Sequence, residues 1–296
     1  MKNARYWRHL GLFGLGTVIV GLLILIVAIM HLSYRSAYRY VHPLRTRHID
    51  DETPARFGIP YQDVALHTND GLVLKAWYTI PANGAMILVA HGYSGHRWDE
   101  MHAFFARHGY GVLSWDFRAN GESEGELCTV GYEEALDVEA ALDFALVQDG
   151  VDWVGAFGYS MGGVAIIEAS ARRPEIQAIV ADSSFYSLEA QLAKAVPVAP
   201  LRPLIRFFAE RETKISVDLL RPVDRIGWIS PRPVMVIQGM SDTVIPVESA
   251  QRLYDAAGEP RTVWIEPDVE HCGMREVFPD EYERRVIAFF DAARSE

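Results

Sequence analysis

Gly158-Tyr159-Ser160-Met161-Gly162 sets a serine between two glycines, each two positions away. A serine hydroxyl is a weak nucleophile until it is exposed, positioned and relieved of its proton by a neighbour. A sharp strand-to-helix turn exposes it. Such a turn crowds the backbone so tightly that the flanking positions must be bare, which accounts for Gly158 and Gly162. Gly163 leaves room for the following helix to approach the sheet. The pentapeptide alone also suits a purely structural turn; its place between DWVGAF and the helical VAIIEASA favours the nucleophile.

A base is needed next. Of ten histidines only His271 follows Ser160, in Asp268-Val269-Glu270-His271-Cys272-Gly273. Sites built on such a turn run nucleophile, acid, histidine along the chain, so His271 is the candidate base. Asp268 and Glu270 are metal-ligand types, but one loop without a partner cluster is a poor metal site, and no metal is expected. The acid that orients the imidazole is expected at Asp242, after the apolar run PVMVIQ and within Gly239-Met240-Ser241-Asp242. Asp182, at the end of the preceding strand, is the alternative acid, or an anchor for inserted helices. Two backbone N–H groups should face the developing oxyanion. Met161, directly after the nucleophile, is one; Tyr93, in His91-Gly92-Tyr93-Ser94-Gly95, is the other. His91 reads as a residue that fixes this loop. Asp116-Phe117-Arg118 and Asn120-Gly121 read as architecture.

The elements that must position these residues can be read from periodicity. Residues 63–67 and 72–80 flank the turn Thr68-Asn69-Asp70-Gly71 and form a hairpin. Short apolar strands are expected at 86–90, 112–115, 153–157, 176–181, 234–237 and 263–265, of the kind buried on both faces of a parallel sheet. Helices alternate with them at 98–107, 132–147, 161–171, 247–257 and 280–293. The fold class is therefore α/β, a mostly parallel sheet with helices on both faces. About 50 residues separate two of the strands, too long for an ordinary connection. With amphipathic pieces at 188–195 and 204–210 among Pro197, Pro200, Pro203 and Pro222, residues 183–231 are expected to form a small helical cap.

Composition bounds the partners. The 296 residues carry a net charge of −11 from 28 basic and 39 acidic side chains. Seven of the basic residues but only Asp50 of the acidic ones lie in the first 50, leaving 21 against 38 beyond, a net −17. An acidic domain repels phosphates, so no nucleic-acid partner is expected. Cys128 and Cys272 make neither a disulfide framework nor a metal motif, and read as unpaired, partly buried thiols.

Residues 10–30 contain no charge, enough helix to cross the ~30 Å hydrocarbon core of a bilayer. Tyr6, Trp7, Tyr34 and Tyr38 flank the run as aromatic side chains do at headgroup level. A cleavable signal sequence would have a shorter apolar stretch, of ~7–15 residues, and a better cleavage site than Ala28-Ile29-Met30. The expected organisation is a basic tail at 1–9, a single-pass membrane anchor at 10–32, a juxtamembrane linker at 33–56 and a catalytic domain at 57–296. Lys2, Arg5 and Arg8 before the span nearly balance Arg35, Arg39, Arg45 and Arg47 after it, so the charge pattern favours neither orientation.

HGYSG, DFRANGESEG, GYSMGG, GMSDTVIP and EHCG, in this order across 57–296, resemble the α/β-hydrolase superfamily. The chain is most similar to membrane-anchored serine hydrolases of the Bem46 type and to cinnamoyl or short-lipid esterases. The resemblance implies a Ser160–Asp242–His271 triad and no cofactor. Serine at 160 departs from the haloalkane dehalogenase and epoxide hydrolase branches, which use an aspartate nucleophile. The expected activity is ester or thioester hydrolysis of a small-molecule acyl substrate, with lipid-like chains favoured by the membrane tether and apolar cap. A prolyl-peptidase-like serine peptidase is the second enzyme reading, and a non-catalytic membrane-tethered binding module is the third.

Overall fold

The computed structural model describes residues 2–45 and 52–295, with side chains described from residue 13 onward. The middle of the expected linker, with Arg47 and Asp50, lies outside the described residues, as do the side chains of Tyr6 and Trp7.

The eight strands are β1 (Gln62–His67), β2 (Val73–Thr79), β3 (Ala85–Ala90), β4 (Gly111–Trp115), β5 (Trp153–Tyr159), β6 (Ala178–Asp182), β7 (Val234–Gly239) and β8 (Arg261–Glu266). They form one sheet in the order β1-β2-β4-β3-β5-β6-β7-β8. β1 and β2 make an antiparallel hairpin, β2 meets β4 antiparallel, and every pairing from β4 to β8 is parallel. β3, β5 and β7 are buried along their whole length. That is the reason for their uninterrupted apolar sequences: helices cover both faces, and no alternate position meets water.

Ten helices are described: α1 (Lys2–Val41), α2 (Asp99–Ala106), α3 (Glu134–Leu146), α4 (Met161–Ser170), α5 (Leu188–Ala195), α6 (Arg202–Thr213), α7 (Pro222–Arg225), α8 (Ser249–Ala256), α9 (Met274–Val277) and α10 (Pro279–Ser295). Ala135, Leu142, Ile166 and Leu253 bring α3, α4 and α8 onto one face of the sheet. Met101, Phe105, Tyr282 and Phe290 bring α2 and α10 onto the other. α5, α6 and α7 fill the long insertion between β6 and β7, where the cap was expected.

α1 departs from the sequence reading. It runs unbroken for 40 residues to Val41, so 33–41 is helix and not connector. Its Phe13–Val41 part is long and apolar enough to cross a membrane, and side chains such as Phe13, Ile24 and Val27 are exposed. The last turns behave differently. Ser33, Ala37 and Val41, at i, i+4 and i+8 on one stripe, are all buried. Ala37 packs with Val196 and Ile205 of the cap, and Tyr34 meets Phe208 edge-on at 5.6 Å between centroids. The connector expectation failed because basic and aromatic residues on the outer side of these turns conceal a buried stripe of small residues.

Candidate active site

Each chemical side chain stands at the same end of the sheet, because parallel strands deliver their following loops to one edge. Ser160 lies between β5 and α4, with φ 52° and ψ −116°. This left-handed conformation is strained for a residue with a side chain and persists only where the surroundings enforce it. The glycines show how. A Cβ on Gly158 would lie 2.5 Å from the Gly162 carbonyl carbon, and one on Gly162 would lie 2.4 Å from the Ala90 oxygen. One on Gly163 would meet Ser184 Oγ at 2.1 Å. The Ser160 N–H donates to the Asp182 carbonyl at 2.7 Å, and the Ser160 carbonyl accepts from Ser184 Oγ at 3.0 Å. The turn is therefore pinned to the end of β6.

His271 Nδ1 is 2.8 Å from Asp242 Oδ2. A carboxylate oxygen only accepts, so Nδ1 carries the hydrogen and Nε2 is left as a base. The Asp242 carboxylate is buried, and its Oδ1 accepts the N–H groups of Val244 and Ile245, each at 2.8 Å. Three donors thus fix the acid. The His271 loop is held to the serine turn through a third party. Cys272 N–H donates to Ser183 Oγ at 3.1 Å, directly after the Asp182 whose carbonyl binds Ser160. No hydrogen bond joins Ser160 Oγ to the imidazole among the described residues; such bonds are often long in an unliganded site and tighten on binding.

Asp182, the alternative acid, is engaged elsewhere. Its Oδ2 accepts from the Tyr282 hydroxyl at 2.8 Å and its Oδ1 from Ser183 Oγ at 2.8 Å. Complete burial, opposed by those two donors, pushes its carboxyl up to about 6. Ser183, Ser184 and Tyr282 carry this scaffold, and the sequence reading missed all three. Tyr282 lies 100 positions from Asp182, and nothing local marks it.

The His91-to-Gly95 loop runs beside Ser160: a Cβ on Gly92 would sit 3.6 Å from Ser160 Cβ. Tyr93 belongs to this loop, and Met161 opens α4, where first-turn amides lack partners within the helix. The Tyr93 hydroxyl donates to the carbonyls of Arg39 and Tyr40, at 2.9 and 3.0 Å, and so caps the last turn of α1. His91 is held on both sides. Phe117 N–H donates to its Nε2 at 3.0 Å, and its Nδ1 hydrogen goes to the Gly92 carbonyl at 2.6 Å. Burial lowers this imidazole to about 4, so it stays neutral and fixes the loop. Asp116 receives the Arg97 backbone N–H and guanidinium, each at 2.6 Å, and Arg118 bridges Asp137 and Asp70. Those contacts are architectural. Cys128 and Cys272 are both free thiols.

A cavity of about 450 Å³ opens at Ser160 and Met161. Phe185, Leu188, Leu192, Ile205, Val217 and Ile245 line it from the cap side and the Asp242 loop, and Ala37, Tyr40 and Val41 line it from α1. Of its charged residues, Lys194, Arg206 and Glu210, the last two are joined at 2.9 Å, with Arg206 also on Asp218 and Glu210 accepting the Val217 N–H at 2.9 Å. The remaining wall is chiefly apolar, as in ordinary small-molecule sites.

Residues 81–230 match the model of a family described as serine aminopeptidase, S33. The chain belongs to this family, within the α/β-hydrolase superfamily. An uncharacterised protein of Mycobacterium tuberculosis is 33% identical to this hydrolase over 217 residues, covering 71% of this chain and 72% of its own. The α/β hydrolase domain-containing protein WAV2 of Arabidopsis thaliana is 27% identical over 232 residues, covering 72% and 73%. Among solved structures, the Pyrococcus furiosus esterase Pf2001 superposes with a TM-score of 0.70 at 28% identity, across 84% of this chain and 98% of that one.

Proposed function

We propose that this hydrolase is a serine esterase or thioesterase, held at a membrane by α1, that works through an acyl-enzyme on Ser160. The observation that carries the reading is the 2.8 Å contact between Asp242 and His271, in a loop bonded to the segment that pins the Ser160 turn. His271 Nε2 takes the hydroxyl proton as Ser160 Oγ adds to the acyl carbonyl. The amides of Met161 and Tyr93 donate to the oxyanion. The intermediate collapses as the leaving oxygen or sulfur departs with the proton from His271, which leaves an ester on Ser160. Water, deprotonated by His271, then adds to that ester, and the carboxylic acid and free serine are released. One ester and one water give one acid and one alcohol or thiol.

The organisation supported is an anchor at 10–32 and a catalytic domain at 57–296 with its cap at 183–231. The anchor reading is supported by an apolar stretch whose helix continues without a break into turns packed on the cap. A signal sequence removed near residue 30 would cut that helix just before its docked turns.

A peptidase is the second reading, favoured by the family's description. An aminopeptidase must neutralise a substrate ammonium, and the carboxylate lining the cavity, Glu210, already serves Arg206 and Val217. An apolar cavity suits an acyl group better. The test is turnover of p-nitrophenyl acyl esters against aminoacyl p-nitroanilides. Ester cleavage that falls by several orders of magnitude in Ser160→Ala supports the reading. Cleavage of the anilides alone replaces it with the peptidase.

A further inference from the structure

The cavity at Ser160 has a wall drawn from the helix that reaches the membrane. We infer that the last two turns of α1 form one side of the acyl-binding pocket, and that the substrates are esters of a single apolar acyl chain. The inference rests on the esterase reading and names its substrate.

The wall is built in place by contacts on several sides. The Tyr93 hydroxyl caps the α1 carbonyls of Arg39 and Tyr40, and Cys128 N–H donates to the Val41 carbonyl at 2.8 Å. His42, directly after the helix, reaches Glu212 of α6 at 3.2 Å. Ser94 Oγ donates to the Leu44 carbonyl at 2.8 Å, and the Arg45 guanidinium donates to the Ser123 carbonyl at 2.8 Å. Ala37 and Val41 are 2% and 3% exposed, held in place by these contacts. Leu192 and Ile205 of the cap line the same cavity beside them.

Lining and position define the occupant. The cavity of about 450 Å³ is in the ordinary size range of small-molecule sites, and its largely apolar wall suits an acyl chain. At 1.5 Å per residue, Ala37 and Val41 stand ~10 and ~16 Å along the helix from Met30, where the apolar run ends. The headgroup layer takes up only ~6 Å on each side of the hydrocarbon core. The pocket therefore sits just above the headgroups. A single-chain amphiphile that leaves the bilayer readily can reach it, whereas a two-chain lipid held in the leaflet cannot.

The test uses the full chain in detergent and a series of p-nitrophenyl esters: acetate, butyrate, octanoate, decanoate and palmitate. The wild type is expected to prefer octanoate or decanoate to acetate in kcat/KM. Ala37→Trp places an indole in the cavity and is expected to lower the decanoate-to-acetate ratio at least ~10-fold, the scale on which a misfit in an apolar pocket discriminates. Val41→Ala enlarges the same wall with little risk to folding, and is expected to move the optimum toward palmitate. A folded Ala37→Trp with the wild-type ratio, or a Val41→Ala with the wild-type optimum, overturns the inference and leaves the esterase reading standing. A wild type that cleaves none of the esters overturns the esterase reading beneath it.

Discussion

Asp242→Asn changes one atom, and the contacts around it dictate the consequence. Asp242 Oδ1 accepts two backbone N–H groups at 2.8 Å, while Oδ2 faces His271 Nδ1. An asparagine must keep its carbonyl oxygen on those two amides, since turning it would leave two buried donors facing an NH₂ group at ~1–3 kcal/mol each. The NH₂ group is thereby aimed at Nδ1, which can then only accept. The imidazole is forced into the tautomer with hydrogen on Nε2 and has no lone pair to offer Ser160. Loss of the correct tautomer at a serine triad is worth about 10⁴-fold in kcat, or ~5.5 kcal/mol in the barrier. Because the shape and both backbone bonds survive, Tm should change little. Asp242→Ala should instead lose both activity and stability. Burst and steady-state hydrolysis of p-nitrophenyl octanoate, with Tm measured on the same preparations, separates the two effects. A folded Asp242→Asn enzyme within about tenfold of wild type would refute the tautomer argument and Asp242's role with it.

Three further outcomes follow from the same geometry. In Gly162→Ala the new methyl meets the Ala90 and His91 carbonyl oxygens at 2.4 and 2.5 Å, and backbone cannot yield as a side chain does. A loss of ~2 kcal/mol or more is expected in chemical denaturation, with ester turnover reduced alongside. Asp182 titrates at about 6 when folded against 3.8 as its ordinary value, so the folded state holds its proton more tightly. Its stabilising contribution is complete below pH ~4 and is lost as pH rises through ~6, by about 3 kcal/mol. A pH series of Tm should show this decline in wild type and a flatter profile in Asp182→Asn. Tyr93→Phe keeps the amide proposed for the oxyanion but removes a hydrogen bond of ~1 kcal/mol from the end of α1, and should lower kcat by ~10-fold or less while KM rises for decanoate. An unchanged chain-length profile there would uncouple the loop from α1.

What could be read in the sequence was whatever local sterics or chain order impose. Gly158, Gly162 and Gly163 are dictated by backbone atoms within a few residues or on the adjacent strand, so their pattern survives in a linear string. The strands were legible for a similar reason: AMILVA and VMVIQG have no polar alternation because both their faces are covered. The pairing of Asp182 with Tyr282, and of Cys272 with Ser183, joins elements far apart in the chain, where no periodicity points from one partner to the other. The turns at 33–41 were misread for a different reason. Their buried face is Ser33, Ala37 and Val41, too small to register as an apolar stripe beside Arg35, Tyr38 and Arg39. Their partner surface on α6 is more than 160 positions away in the chain, so no local pattern points to it.

The central claim is that Ser160 is the nucleophile, and covalent capture tests it most directly. The full-length protein is treated with a fluorophosphonate, which phosphonylates an activated serine, and then digested and mapped by mass spectrometry. The account predicts one adduct on the peptide containing Ser160 and none in Ser160→Ala. An adduct on a different residue alone, or undiminished ester turnover in an enzyme fully labelled at Ser160, would contradict it.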